Sequence, residues 1–398
     1  MPGGKVAILR GANLNKYEMQ TYEKLNQLSS LEIKTFSSLF PQHQINGINL
    51  PNRRLLCSED FIRYLIPQKM RRPVRFVLEG LIGIKQLTFG LIKELEGFDL
   101  IHTADPSYYY SYQAAKAKDK YHSRLVVTQW ENIPFLFEHN RLAQRIKYTV
   151  LNRTDHFIAM SKKARETLLL EGVAPHKITV APVGVDLERF KPRGKSEKLL
   201  DYCGLDHKDL LISFCGRLSY SKGVEFLLYA FKKLTLDSKI RSLDIKVKLA
   251  FFGEGEKKGR LLELAGRLDL EKDTIFYGFY PYKRMGEVYN TTDILVLPSV
   301  SIKWWQEQLG MVLLEGMASG CAVVSTRSGS IPEVVGDAGL LCNPGDFCDL
   351  YLKMRKLCLN KDLREKLGER GRERVGERYN FTTSAQKIND VYQLVLFQ

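Results

Sequence analysis

The stretch DILVLPSVSIKWWQEQLGMVLLEGMASGCAVVSTRS, Asp293–Ser328, decides the fold. It reads as a short apolar strand (DILVLPS), a polar loop, a short helix beginning near Gly310 (LGMVLLEGMASG) and a second apolar strand (AVVSTRS). Both strands are continuous apolar runs, as expected where a parallel sheet is covered on both faces. The same alternation extends outward in both directions. Strand candidates are KVAILRG, FDLIHTA, RLVVTQW, HFIAMS, ITVAPV, LLISFCG, VKLAFFG, TIFYGFY and AGLLCN, and SKKARETLLLEG and SKGVEFLLYAFKKL carry helical spacing between them. The pattern predicts two α/β units, each built on a parallel sheet.

A chain of 398 residues exceeds the size at which single cores stop growing, so two domains are expected. Apolar pattern gives way to charge, Pro and Gly in GVDLERFKPRGKSEK, which places a linker at 188–209. The expected division is an N-terminal Rossmann-like domain at 1–187, a second at 210–378, and a helix at 379–398 crossing back to the first. In NLNKYEMQTYEKL, Asn15 caps the first helix and Glu18 stands where a capping box needs it.

The chain carries 60 Lys and Arg against 45 Asp and Glu, a net charge of +15. This implies an anionic partner. Because the excess is spread over both halves, nucleic acid is disfavoured; phosphorylated small molecules and an anionic membrane face remain. Arg71, Arg72 and Arg75 open PQKMRRPVRFVLEGLIGIKQLTFGLIKELEGF, which reads either as a core-facing helix with a solvated basic start or as a surface lying on an anionic bilayer. No run reaches 18 apolar residues, and MPGGKVAILRG lacks the apolar block of a signal peptide, so a cytoplasmic location is expected. Seven cysteines without a C-x-x-C pair read as small buried hydrophobes in a reducing compartment, with no support for structural zinc.

Three motifs carry chemistry. In ISFCGRLSYSKGVEFLLYAF a strand ends at Gly216 and is followed by Arg217, Lys222 and a helix start, a place where phosphate binds in open α/β sheets. The glycines of FFGEGEKKGR lack the spacing of a dinucleotide fingerprint and suggest a turn along which backbone approaches a ligand. Glu307 and Glu315 flank Gly310. They suit a general acid and base, metal ligands, or groups that read hydroxyls, a carboxylate being able to accept both hydrogen bonds of a ribose diol. Eight residues of helix span about 12 Å, farther than a hydrolytic carboxylate pair usually stands.

Together these stretches resemble the retaining GT-B glycosyltransferases of family four, the glycosyl transferases group 1. EQLGMVLLEGMASGCAVVSTRSGSIPEVV matches the family's E-x7-E motif and GRLSYSKG its G-R-L-x-x-x-K-G. TDHFIAMSKKARETL with VAPVGVDLERFKP is similar to its domain-joining region, and TIFYGFYPYKRMGEVYNTTDILVLPS to its nucleobase-side strand and helix. The resemblance implies two Rossmann-like domains facing a central cleft, and transfer of a hexose from a UDP- or GDP-sugar to a glycan, lipid or small-molecule acceptor without a metal cofactor. It implies that Arg217 and Lys222 bind the diphosphate, Glu315 the ribose and Glu307 the transferred sugar. The amides of Gly310 and Met311 would lie near sugar and phosphate, and Gly278 and Phe279 near the base. In the first half the sequence departs from the family: Trp130 and Glu131 stand where a histidine is common, and RGANLNKYEMQ replaces a glycine-rich loop. Acceptor-side candidates are therefore Asn13, His102, Asp105, Trp130 and Glu131. A silent nucleotide-sugar-binding protein and a glycoside hydrolase using Glu307 and Glu315 are the rival readings.

Overall fold

The computed structural model describes residues 4–81 and 83–397. All eleven expected strands are present, with two more between the first and second. One sheet comprises β1 (Lys5–Gly11), β2 (Glu32–Ser38), β3 (Asn52–Leu55), β4 (Leu100–Ala104), β5 (Arg124–Gln129), β6 (His156–Ala159) and β7 (Ile178–Val180). The other comprises β8 (Leu210–Cys215), β9 (Val247–Phe252), β10 (Thr274–Gly278), β11 (Ile294–Leu297), β12 (Ala322–Thr326) and β13 (Gly339–Cys342). Their orders are β3-β2-β1-β4-β5-β6-β7 and β10-β9-β8-β11-β12-β13, and each neighbouring pair is parallel. Strand order reverses between β1 and β4 in one sheet and between β8 and β11 in the other. Such switch points open a crevice at the carboxyl ends of the strands, where open α/β sheets bind ligands.

The two strands the apolar pattern missed carry few apolar side chains, Ile33 and Phe36 in β2 and Leu55 in β3. In β2, Thr35, Ser37 and Ser38 are buried. The Thr35 hydroxyl donates to the Pro51 carbonyl and the Asn52 amide donates to Ser37. At the sheet edge, β3 leaves Arg53 and Arg54 exposed. Asn15 does cap the helix Lys16–Leu28, its side chain accepting from the Glu18 N–H at 2.9 Å. The Glu18 carboxylate does not close the expected box; it is drawn instead to the buried Arg10 guanidinium at 2.7 Å.

The chain divides into two compact units: unit 1 runs to Gly184 and resumes at Phe381, and unit 2 is Val185–Asn380. The stretch expected as a linker, 188–209, belongs to unit 2. It carries the helix Glu197–Cys203, whose Leu199, Leu200 and Cys203 are buried; charge and Pro marked the surface of a packed segment. The expected final helix spans Phe381–Leu396 and returns its Ala385, Ile388, Val391 and Tyr392 to unit 1.

The segment opened by Arg71 and Arg75 is not one helix. A helix Gln68–Arg75 containing Pro73 runs into a turn of π-helix, Phe76–Leu81, and a short helix follows only at Leu91–Glu94. Proline cannot donate a helical hydrogen bond, and Gly83 and Gly90 turn the chain through positive φ. Leu91 and Leu95 are buried, but Met70, Phe76 and Val77 are exposed, so the core-facing reading holds for the end of the segment and not its start. The Arg72 side chain lies outside the described residues. Among the described residues no helix is long and apolar enough to cross a membrane. All seven cysteines are free; six are buried as expected and Cys348 is exposed.

Candidate functional site

At the switch point of unit 2, loops follow β8 and β11, and the sequence assigned its candidates to both. Lys222 ends a 3-10 turn, Tyr220–Lys222, after β8. Glu307 lies in the loop after β11, 85 residues away, and the two meet. The Lys222 Nζ stands 3.0 Å from Oε1 and 2.7 Å from Oε2 of Glu307, and the Ser299 hydroxyl donates to Oε2 at 2.6 Å. Glu307 is buried and Lys222 half-buried, with its ammonium 4.9 Å from the centre of the Trp305 ring. Arg217, five residues before Lys222, is exposed, and among the described residues its side chain makes no hydrogen bond or ion pair. One cation is thus engaged by a carboxylate while its neighbour faces solvent.

Gly310, with φ of 75° and no side chain to cap it, precedes the helix Met311–Ala318; the Leu313 N–H bonds the Gly310 carbonyl at 2.8 Å, and the amides before it are those a helix start turns outward. The helix is apolar all round because Leu313 to Ala318 are buried. Glu315 is the exception on it. Its carboxylate accepts from the Tyr282 hydroxyl at 3.0 Å and from the Tyr289 hydroxyl at 2.7 Å. Burial raises its pKa to about 7, against the lowering effect of the two tyrosines and of Arg189. Sequence reasoning missed Tyr282, Tyr289 and Ser299. Tyr282 opens a 3-10 turn, Tyr282–Arg284, that leads straight into the helix Met285–Thr291 carrying Tyr289.

Gly278 ends β10 with φ of 83° and Phe279 beside it is exposed. Two of the three glycines after β9, Gly253 and Gly255, are required by packing within the protein, while Gly259 has open space. A side chain at Gly253 would overlap the Gly216 carbonyl oxygen, and one at Gly255 the Leu218 carbonyl oxygen. They let the β8 and β9 loops pack backbone to backbone.

In unit 1 the acceptor-side candidates divide. His102 is a core residue: fully buried, it holds the Tyr392 hydroxyl at 2.6 Å and the Thr128 hydroxyl at 2.7 Å on its two ring nitrogens. Burial and then Arg10 push its pKa well down, so it stays neutral. The others gather near the β1 and β4 switch point. Asn13 donates to the Tyr108 hydroxyl at 2.9 Å. Asp105, at a left-handed φ of 51°, accepts from the Trp130 N–H at 2.9 Å. Glu131 accepts from the Asn132 and Ile133 N–H groups. Burial, then the nearby Asp105 charge, raises the Glu131 pKa to about 7, and burial raises that of Asp105. Lys85, which the sequence reading passed over, stands 4.3 Å from the Tyr108 ring centre and 4.0 Å from that of Phe137. Burial opposes its charge, but Tyr108, Glu79 and Asp105 outweigh that and raise its pKa. Of the neighbouring tyrosines, Tyr110 is buried and stacked on Tyr108, and Tyr109 lies against Tyr112.

Two doubly wound parallel sheets on one chain, with a cation, a carboxylate pair and a helix amino terminus at the second switch point, define a GT-B-type protein. Its sequence matches two family models, glycosyl transferases group 1 over residues 197–374 and glycosyltransferase family 4 over residues 54–189. The chain belongs to the glycosyl transferases group 1. It is similar to a sulfoquinovosyl transferase of Arabidopsis thaliana, 29% identical over 58% of this chain and 43% of that one. It is also similar to a D-inositol 3-phosphate glycosyltransferase of Corynebacterium jeikeium, 31% identical over 54% and 51%. The chain thus spans about half the length of these curated relatives. Among solved structures, HepE of Anabaena in complex with UDP and glucose matches with a TM-score of 0.74, 17% identity and coverage of 98% and 99%. A sucrose-phosphate synthase of Thermosynechococcus elongatus matches with a TM-score of 0.72, 17% identity and 98% of both chains. These likenesses establish the GT-B fold.

Proposed function

We propose that this protein is a glycosyltransferase that moves a hexose from a UDP- or GDP-sugar to an acceptor hydroxyl, with retention of anomeric configuration and without a metal cofactor. The observation that carries the reading is the Lys222–Glu307 pair beside the Met311–Ala318 helix that bears Glu315. The binding of UDP and glucose by the HepE structure supports the donor class.

In the proposed step the acceptor oxygen bonds to the anomeric carbon, the bond from that carbon to the diphosphate oxygen breaks, and the acceptor proton passes to the departing phosphate. Charge grows on the diphosphate. Arg217, exposed and unpaired, supplies one cation; Lys222 supplies another, because an ammonium has three N–H donors and Glu307 takes two. With the amides of Gly310 and Met311 they are placed before the charge develops, which favours the transition state over the ground state. Glu307, fixed by Lys222 and Ser299, is left to orient the sugar, and Glu315 to receive the ribose diol. Gly278 and Phe279 would meet the base.

Cytoplasmic location and peripheral contact with an anionic bilayer through Arg71, Arg75 and the exposed Met70 and Val77 belong to the proposal. Equal partition onto neutral and anionic vesicles would count against that contact. The transfer itself is tested by donor turnover with purified protein over a panel of UDP- and GDP-hexoses. Glu307→Ala and Arg217→Ala should each slow it by about 10²- to 10³-fold. Undiminished turnover in both would remove the site assignment; cleavage of aryl glycosides without nucleotide would favour hydrolysis instead.

A further inference from the structure

Two cavities adjoin in unit 1, and their walls differ in kind. One of about 380 Å³ is lined by Asn13, Gln42, Glu59, Arg63, Gln86 and Tyr108. The other, of about 350 Å³, is lined by Phe76, Gly80, Gly83, Phe137, His139 and Ala143. Arg75, Glu79 and Lys85 belong to both. The polar cavity offers amides, a phenol, carboxylates and guanidinium groups, the mixture of donors and acceptors that reads hydroxyls. Its charges are largely matched, Arg75 lying against both Glu59 and Glu79, so it is not a bare anion trap. The second cavity is walled mainly by two aromatic rings, Ala143 and glycines that add no side chain, with Ser107 and His139 as its own polar groups. The Lys85 ammonium, held between the Tyr108 and Phe137 rings, forms the partition. At the outer edge Phe76 is 65% exposed and continues into the exposed Val77.

The backbone around both cavities is strained. Gln86 in the lining of one and Phe137 in the lining of the other take positive φ without being glycine, as do Asp105 and Phe135 nearby in the chain, a costly conformation that clusters at ligand sites.

We propose that unit 1 takes an amphipathic acceptor, with a hydroxyl-bearing polar head in the cavity of Asn13 and Tyr108 and an apolar chain in the cavity of Phe76 and Phe137. Lys85 marks the junction, its ammonium toward the head and its methylenes along the chain. This rests on the glycosyl-transfer reading and adds the class of acceptor to it.

The test is calorimetric titration of the full chain with methyl, butyl, hexyl and octyl β-glucosides, each below its micelle-forming concentration. Affinity should rise with chain length, by on the order of threefold per methylene. Phe137→Ala and, separately, Phe76→Ser should flatten that rise while leaving the methyl glycoside unchanged. Asn13→Ala should weaken every member by the same factor. Phe76 is exposed, so its variant keeps the test valid if Phe137→Ala fails to fold. Equal affinity for methyl and octyl glycosides, or an undiminished rise in both phenylalanine variants, overturns the proposal. UDP- and GDP-hexose titration of the same preparations separates the two readings. Donor binding without chain-length dependence sinks the acceptor class alone, and absent donor binding sinks the glycosyl-transfer reading beneath it.

Discussion

The two units share a sheet plan and a switch point, yet their candidate sites are built by opposite means. In unit 2 the working side chains are fixed by strong, short contacts: Lys222 to Glu307, Ser299 to Glu307, and two tyrosines to Glu315. In unit 1 the polar groups are held largely by backbone, with Asp105 and Glu131 capped by N–H groups and several residues at positive φ. Under the proposed function unit 2 meets a diphosphate, a fixed chemistry that side chains at set spacings can serve. The unit 1 groups lie on loops after β1, β4 and β5, and no motif spacing links them.

The largest way to break this comparison is Lys222→Met. Donor turnover should fall by about 10²- to 10³-fold, and the loss should appear in kcat more than in KM, because the cation acts on charge that develops only in the transition state. A variant that binds the donor poorly but turns it over normally would make Lys222 a docking residue only.

The two carboxylates raised to about 7, one in each unit, allow a direct comparison. Glu315 shifts from an ordinary 4.5 to about 7 in the folded protein. Folding therefore takes up a proton between those values; the associated stability is fully present below about pH 4.5 and is lost as pH rises through 7. Relative to Glu315→Gln, the parent protein should lose on the order of 3 kcal/mol across that window, measured by urea unfolding at pH 4.5 and pH 8. Donor binding should tighten over the same rise in pH, since the charged carboxylate accepts ribose hydroxyls better. Glu131 has the same direction and destination, so Glu131→Gln should also flatten the stability profile but leave the pH dependence of donor binding intact.

Smaller effects probe unit 1 alone. His102→Phe leaves the Tyr392 and Thr128 hydroxyls without their buried partner and should cost about 1–3 kcal/mol, with nucleotide-sugar binding unchanged in calorimetry. Asn15→Ala removes a helix cap and should cost about 1 kcal/mol, read as a lower urea midpoint at constant slope. A change in donor affinity in either variant would mean that the units do not act separately.

Much of this was legible because parallel strands buried on both faces are written as uninterrupted apolar runs. β2 escaped because its buried run is broken by Thr35, Ser37 and Ser38, and the Thr35 and Ser37 hydroxyls find partners inside the sheet. Segment 188–209 was mistaken for a linker because its buried leucines are few beside its charges. Lys222 and Glu307 were each legible from local motifs; their union was not, since nothing in either stretch names a partner 85 residues distant. His102 looked like site chemistry at a strand end. Only the packing of a helix from residues 381–396 shows that its ring is a core hydrogen-bonding hub.

That helix also sets an order of events during synthesis. Unit 1 is discontinuous: seven strands are made first, all of Val185–Asn380 follows, and only then does Phe381–Leu396 emerge with Ile388, Val391 and Tyr392. Domains generally fold as units as they leave the ribosome, so unit 2 is complete while unit 1 still lacks the phenol that His102 requires. A nascent chain stalled before Phe381 would present an unfinished first unit, with an open apolar face for chaperones to cover, joined to a finished second one.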